Sequence, residues 1–120
     1  MPESAAITRR FDDADEHRDF PLGHFDLVQI GGMTVGRAEY EPGWRWSEHV
    51  GAATGVRSCD VAHLGLVLSG RNRIEMDDGR VIEIGPGDLF DVGPGHDSAV
   101  IGDEAYVSIH FLGADRYAAK

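Results

Sequence analysis

Short apolar runs, separated by glycines and charged residues, recur along this chain of 120 residues. Such runs are too short for amphipathic helices and suit β-strands. Gly31-Gly32 and Asp77-Asp78-Gly79 lie between neighbouring runs and are typical of hairpin turns. The pattern predicts roughly nine or ten strands and no convincing amphipathic helix, and therefore an all-β antiparallel barrel or jelly roll. The clearest strands are expected at 24–30, 33–41, 71–76, 80–84, 89–92, 98–101 and 106–112.

Three stretches in the middle of the chain complete the predicted barrel. Residues 59–69 are apolar on both faces, which is typical of a central strand. Residues 51–58 are small and polar and are expected to form a loop that lines a cavity mouth. Residues 44–50 alternate and are predicted to form a strand, with Trp44, Trp46 and Glu48 on one face and Arg45, Ser47 and His49 on the other.

The start of the chain differs from the rest. Residues 1–20 are charged and lack periodic apolar positions, so they are predicted to form a loosely ordered N-terminal arm or a short helical turn. Residues 21–120 are predicted to form one β-barrel domain, because a chain of this length buries one core but not two.

Charge and cysteine content exclude several classes of function. The chain carries 21 acidic and 11 basic side chains, a formal charge of −10, and has no basic stripe, so we expect no nucleic-acid partner. The apolar run at 64–68 is far too short to span a bilayer, so we expect no membrane partner. Cys59 is the only cysteine and the first ten residues do not read as a secretion signal, which together predict a cytoplasmic protein.

Glycines and histidines are spaced regularly in the first half of the predicted barrel. Five residues separate Gly43 from His49, and six separate His63 from Gly70. This spacing resembles the first motif of the cupin superfamily of small β-barrels, which runs Gly, five residues, His, one residue, His, three or four residues, Glu, six residues, Gly. His63 then stands at the Glu position, and Gly51 falls where the second histidine is expected.

A second segment agrees with the second cupin motif, which runs Gly, five residues, Pro, one residue, Gly, two residues, His, three residues, Asn. Gly87 and Gly95 match it, and Pro94 lies one place late. Ser98 holds the histidine position and Gly102 the asparagine position, so the chain departs from the usual ligand set here.

The resemblance covers about residues 30–112 and implies a cupin-type fold. In a typical cupin, three histidines and one glutamate hold a metal ion, and the barrel binds a small organic molecule. The family includes dioxygenases, isomerases and lyases, none of which these residues indicate in particular. The resemblance also implies a homodimer, formed by strand exchange or sheet packing.

Three histidines are the predicted metal ligands. Imidazole is the commonest protein ligand of transition metals, so His49, His63 and His96 are expected to hold Zn²⁺, Fe²⁺, Mn²⁺ or Ni²⁺. Structural roles stay open beside this prediction. His49 and His63 could be barrel histidines hydrogen-bonded to neighbours, and His96 could face solvent from its Pro-Gly turn.

Further residues are candidates for contact with a substrate. Arg45 could bind a substrate carboxylate, or could form an ion pair with one of the chain's many acidic residues. Ser98, which stands at the histidine position of the second motif, could contact the substrate. Cys59 could add a soft ligand from four residues before His63, or could be a small buried hydrophobe. Asp97 could orient the neighbouring imidazole. The remaining histidines, at positions 17, 24 and 110, are expected to have surface or packing roles.

Together these features predict a cupin barrel that binds a divalent metal ion and a small organic ligand. Whether it is a metal-dependent enzyme, and of which reaction, is left open by the residues. The alternative is a metal-free cupin that binds or senses a small molecule without catalysis, which the missing histidines favour.

Overall fold

The computed structural model describes residues 6–53, 55–56, 58–114 and 117, and within them nine strands form two antiparallel sheets. The strands are β1 (Glu16–Phe20), β2 (Gly23–Ile30), β3 (Met33–Tyr40), β4 (His63–Ser69), β5 (Arg71–Met76), β6 (Val81–Ile84), β7 (Leu89–Val92), β8 (His96–Ile101) and β9 (Tyr106–Leu112). A short helix, α1 (Trp46–His49), and 3₁₀ turns at Phe11–Asp13 and Gly51–Ala53 complete the described elements.

The larger sheet has the strand order β1-β2-β3-β9-β4-β7, and the smaller sheet has the order β6-β5-β8. Inner-face residues of both sheets form one core, and the outer face of β9 is more exposed than its inner face. The predicted all-β jelly roll is therefore confirmed. The bounds expected for β5, β7 and β9 agree with the structure, since each strand ends at a glycine-containing turn or polar turn that was visible in the sequence.

The prediction of a strand over residues 44–50 was wrong, because Trp46–His49 forms helix α1. A carboxylate distant in sequence stabilises its first turn. Asp97 accepts hydrogen bonds from the Ser47 backbone N–H at 3.0 Å and from the Ser47 hydroxyl at 2.7 Å. Since Asp97 comes from β8, this tertiary contact could not be read from the local alternation of apolar and polar residues.

The strand predicted over 59–69 is shorter than expected, because β4 begins only at His63. Cys59 instead forms an isolated β-bridge with His96. The irregular residues between Cys59 and β4 let the chain cross from the smaller sheet to the larger one, so that one short segment contacts both.

The N-terminal segment contributes an edge strand rather than an arm alone. Strand β1 pairs antiparallel with β2, with Glu16 opposite Leu27 and Phe20 opposite Gly23. The Arg18 guanidinium donates to the carbonyl oxygen of Tyr117, near the C-terminus. Among the described residues no helix is both long and apolar enough to cross a bilayer.

Candidate metal centre and ligand cavity

A cavity of about 30 Å³ lies inside the barrel, between the two sheets. By this measure one water needs about 10–15 Å³, so the space suits an ion with one or two waters, or a molecule of a few atoms. Its lining is apolar and aromatic with a few polar groups, as is usual for a ligand site. The lining residues are Tyr40, Trp46, His63, Asn72, Ile74, Ile84, Phe90, Val92, His96, Ser98, Tyr106, His110 and Tyr117.

Three side chains that could hold a metal ion lie close together, and two of them, His63 and His96, line this cavity. Cys59, His63 and His96 each offer a ligand atom, and these atoms lie within 4.8 Å of one another. All three side chains are buried. Cys59 Sγ is 3.6 Å from His63 Nε2, and Zn–S and Zn–N bonds of about 2.3 and 2.0–2.1 Å at a tetrahedral angle put sulfur and nitrogen about 3.6 Å apart. The observed pair therefore already has the separation that one tetrahedral ion requires.

The backbone fixes Cys59 against His96. The Cys59 N–H donates to the His96 carbonyl oxygen at 2.6 Å, and the Gly95 N–H donates to the Cys59 carbonyl oxygen at 2.8 Å. Gly95 has φ of +87°, a conformation that glycine adopts without strain. The Pro94-Gly95 turn seen in the sequence thus sets the start of β8 directly beside the cysteine.

The imidazole of His96 is oriented for ligation. Its Nδ1–H donates to the Gly93 carbonyl oxygen at 2.8 Å. Because the proton is held on Nδ1, the Nε2 lone pair is free to bind a cation. A backbone carbonyl on the far nitrogen is a common partner for a metal-bound histidine.

The cavity is electrostatically neutral. None of its lining residues in the described part of the chain is acidic or is a lysine or arginine. Burial, with smaller contributions from nearby His110 and His96, lowers the pKa of His63 to about 2. Burial also lowers the pKa of His96 and lowers that of His110 to about 3. All three imidazoles are therefore neutral at pH 7, which is the form that binds metal.

His110 is the cavity histidine that the sequence reasoning missed. Its ring centroid is 5.2 Å from that of His63, and the two rings are nearly perpendicular. Its cross-strand neighbours are both glycines, Gly36 on β3 and Gly65 on β4. A Cβ at Gly65 would lie 2.6 Å from the Phe90 ring, and one at Gly36 would lie 2.3 Å from the Phe25 ring.

These two glycines make room for the rings that hold His110. Phe25 and Phe90 contact the imidazole edge-on, at centroid distances of 5.2 and 5.4 Å. The signal was present in β9, where Tyr106, Ser108 and His110 alternate with valine, isoleucine and phenylalanine. Polar residues normally face solvent in such a pattern, but here they face inwards.

The other predicted site residues have different places. His49 lies on α1, where its Nδ1 accepts a hydrogen bond from the Arg45 N–H at 2.9 Å, and it is outside the group of Cys59, His63 and His96. Ser98 is buried and lines the cavity. The structure thus brings two of the three predicted histidine ligands together and adds the cysteine.

Arg45 forms ion pairs with two acidic side chains. Its guanidinium contacts Glu75 at 3.0 Å and Asp97 at 2.9 Å, and these carboxylates raise its pKa. It is not among the described residues that line the cavity. Asp97 hydrogen bonds to Arg45 and Ser47. The sequence suggested that Asp97 could orient His96, but the hydrogen bond from His96 Nδ1 is accepted by the Gly93 carbonyl oxygen.

The position of Cys59 also had a signal in the sequence. Counted back from His63 with three intervening residues, Cys59 occupies the second histidine position of the first cupin motif. The first histidine position then falls on Arg57, which lies outside the described residues. The match from Gly43 places the first histidine on His49 instead, and on that match Cys59 was predicted as a substrate contact that could add a soft ligand.

Comparisons with known proteins show the fold. No protein-family model and no curated protein matches the sequence. A structural-genomics protein of unknown function from Rhizobium leguminosarum is similar, at 21% identity and a TM-score of 0.64 over 90% of this chain and 96% of that one. A cupin-2 domain from Rhodospirillum rubrum has 17% identity and a TM-score of 0.61 over 90% of this chain and 74% of that one.

An enzyme shares the same architecture. The polyketide cyclase RemF from Streptomyces resistomycificus is 13% identical, with a TM-score of 0.65 over 92% of this chain and 80% of that one. At these identities the likeness is one of fold, and it agrees with the two-sheet barrel described above.

Proposed function

We infer that this chain, which has the cupin fold, binds a divalent metal ion through Cys59, His63 and His96 and a small organic ligand in the adjoining cavity. The observation that carries the inference is the convergence of three buried donor atoms within 4.8 Å of one another, two of them from residues that line an uncharged cavity. No acidic side chain lines this cavity in the described part of the chain, so its buried imidazoles have no ion-pair role there. As neutral donors around one point they suit a cation.

The donor set favours some metals over others. A thiolate and two imidazoles suit Zn²⁺ or Fe²⁺, whereas Mn²⁺ prefers carboxylate oxygens, and no carboxylate belongs to the group among the described residues. Three protein donors leave at least one coordination position for water or a ligand oxygen. A bound divalent ion would act there as a Lewis acid that polarises the ligand.

A metal-binding titration tests the proposal. Protein purified without an affinity tag and treated with chelator is titrated with Zn²⁺, Fe²⁺, Mn²⁺ and Ni²⁺ by calorimetry. We expect one Zn²⁺ per chain, and about 100-fold weaker binding or worse in Cys59→Ser and His63→Ala, since even loss of an outer-shell partner costs about 10–100-fold. His49→Ala is the matched control and should bind Zn²⁺ as the parent does.

The melting temperature gives a second readout. A ligand that binds only the folded state at 100 times its Kd adds about 2.7 kcal/mol of stability. Zn²⁺ should therefore raise the melting temperature of the parent and of His49→Ala, but not that of Cys59→Ser. Equal Zn²⁺ affinity in all variants would reject these ligands.

A metal-free function is the second candidate. Ser98 stands in the cavity wall at the second-motif histidine position, and it is a poorer metal ligand than the histidine it replaces. In this case the cavity would bind a small molecule through hydrogen bonds alone. The melting temperature would then respond to none of the four metals, either before or after the change at His63.

We also propose that the protein works as a homodimer in the cytoplasm, where its single thiol stays reduced. The supporting observation is an apolar patch on the outer face of β7, β4 and β9, which includes Leu89 at 76% exposure. Patches of this kind commonly mark protein contacts. The exposed members are Leu64, Leu68, Leu89, Phe111 and Leu112.

Light scattering tests the dimer. The parent should have twice the chain mass of 13.0 kDa, and Leu89→Lys combined with Phe111→Lys should shift it towards the monomer. Val81→Lys is the control, because Val81 is an exposed apolar residue of the smaller sheet. A parent that is monomeric at all concentrations would reject the dimer.

A further inference from the structure

Buried polar atoms without partners are concentrated on the wall of the cavity. His63 Nδ1, His110 Nδ1, Asn72 Oδ1 and Trp46 Nε1 have no hydrogen-bond partner among the described residues. All four side chains line the cavity. Unpaired polar atoms are costly to bury, so their concentration around one cavity indicates that the cavity binds a polar ligand.

His110 stands at one end of a row of polar side chains. Its Nε2 is 2.9 Å from Ser108 Oγ. Burial raises the pKa of the Tyr106 hydroxyl to about 12, while Ser108 and Asn72, which also interact with this hydroxyl, lower that pKa. The row therefore runs from the imidazole on β9 to the amide on β5, and both of its end atoms are unpaired in the cavity wall.

The direction of the hydrogen bonds assigns the proton on His110. Ser108 is 0% exposed, and its measured hydrogen bond runs to His110 Nε2. The single hydroxyl hydrogen is used in that bond only if Ser108 donates it to Nε2. His110 must then carry its own proton on Nδ1, as a donor that faces no protein acceptor.

The setting of the ring supports a binding role rather than a packing role. The cross-strand glycines, Gly36 and Gly65, and the two phenylalanine rings hold the imidazole in one orientation. The side chain is only 5% exposed. An apolar side chain at this position would satisfy the core equally well and would leave no polar atom unpaired.

We propose that His110 is a ligand-binding residue, which donates a hydrogen bond from Nδ1 to an uncharged oxygen, a carbonyl or hydroxyl, of a small molecule held in the cavity. The inference deepens the proposed function and rests on it. In the metal-free protein the ligand is uncharged at this end, because the lining carries no formal charge and a buried ion without a counter-ion loses its solvation without compensation. The cavity volume limits the buried part to a few atoms.

The test uses formamide and formate, which match in size and differ in charge. Chelator-treated protein labelled with ¹⁵N-histidine is observed by NMR, so that the result does not depend on a metal. We expect His110 to be the Nδ1–H tautomer, and formamide to move its Nδ1 resonance in a saturable way while formate does not. An Nε2–H tautomer, an imidazole that ignores formamide, or a response to formate alone would overturn the proposal.

Variants give the size of the effect. His110→Phe keeps a planar ring without the donor, and it should weaken formamide binding about tenfold, the loss expected for one hydrogen bond. His24→Phe, at a histidine outside the cavity, should bind as the parent does. Unchanged affinity in His110→Phe would overturn the proposal, and the wild-type spectra decide the matter if this variant does not fold.

Zinc affinity is measured on the same samples. Retained Zn²⁺ binding in His110→Phe together with lost formamide binding supports both proposals. Zn²⁺ binding without any formamide response rejects only the role of His110. A formamide response in a protein that binds no Zn²⁺ rejects only the metal site.

Discussion

Two groups of histidines lie on opposite faces of the large sheet and differ in whether acidic side chains lie beside them. His63 and His110 face the barrel interior, where no acidic side chain lines the cavity among the described residues. His17 and His24 lie on the outer face of β1 and β2, with their ring centroids 5.2 Å apart and acids beside them. The same residue type therefore lies in a cavity lined without acids on one face and beside carboxylates on the other.

The outer group shows what carboxylates do to an imidazole. His17 Nδ1 contacts Asp26, and His17 Nε2 is 2.8 Å from Asp19. The hydrogen bond to Asp26, followed by that to Asp19, raises the pKa of His17. Burial without acids lowers the pKa values of the interior histidines instead. The interior histidines are thus kept neutral by burial in a cavity lined without acids.

The largest expected effect comes from filling the space that positions His110. In Gly65→Ala the new Cβ would lie 2.3 Å from the Ile109 carbonyl oxygen and 2.6 Å from the Phe90 ring. Overpacking against backbone should lower the free energy of unfolding by about 3 kcal/mol. Urea denaturation measures it, and a change below about 0.5 kcal/mol would show that this packing does not matter.

Gly93→Ala is the matched control for that substitution. A Cβ at Gly93 would meet no atom within 4 Å, and the residue does not have a positive φ. Its free energy of unfolding should stay within about 0.5 kcal/mol of the parent.

The second-largest expected effect is the loss of folding stability that the interior histidines cause as pH falls. Their folded pKa values, about 2 for His63 and about 3 for His110, lie below the value of about 6.5 in an unfolded chain. As pH falls below about 6.5, the unfolded state binds protons that the folded state does not. Each histidine then removes up to about 1.4 kcal/mol of stability per pH unit.

In metal-free His110→Phe, the slope of unfolding free energy against pH between about 4.5 and 6 should therefore be shallower by up to about 1.4 kcal/mol per unit. Urea denaturation at several pH values measures the slope. An unchanged slope would mean that His110 titrates alike in the folded and unfolded states, which would contradict a neutral buried imidazole.

In the outer group, His17 should change the pH dependence of stability in the opposite direction and by a smaller amount. The raised pKa of His17 adds stability below the unfolded pKa, and this stability is lost as pH rises through the folded pKa. His17→Gln should therefore lose stability relative to the parent at pH 5 and lose less at pH 9. A variant that is equally destabilised at both values would assign His17 a packing role.

The smallest effect is expected from Asp26→Asn. It removes the largest cause of the raised His17 pKa, so an NMR titration should show that pKa falling towards its ordinary value. The stability at pH 7 should change by less than about 1 kcal/mol, since the His17 side chain is half exposed and solvent screens its interaction with Asp26. An unchanged His17 pKa would show that Asp19 alone controls it.

The sequence predicted the fold better than the site, for reasons that the two histidine groups illustrate. Strand bounds were read well where turns are local, as at Asp77-Asp78-Gly79 between β5 and β6. Helix α1 was missed because its stabilising carboxylate, Asp97, is distant along the chain. Local pattern carries no information about such a contact.

The residues of the candidate site were likewise predicted only where the signal is local in the sequence. His63 was predicted because motif spacing placed it, and His96 because it lies two residues before the second-motif histidine position, whereas Cys59 reaches the group through a backbone bridge to His96. His110 was missed because a polar residue in an alternating strand is expected to face solvent. Its inward direction depends on glycines in two neighbouring strands, and only the register of the sheet shows that they are its partners.

X-ray absorption spectroscopy of the zinc-loaded protein tests the central claim most directly, namely that Cys59, His63 and His96 hold one divalent ion. The account predicts one sulfur at about 2.3 Å and two imidazole nitrogens at about 2.0–2.1 Å, with the remaining position filled by oxygen. In Cys59→Ser the sulfur should disappear. A zinc shell of oxygen and nitrogen alone in the parent protein would contradict the account.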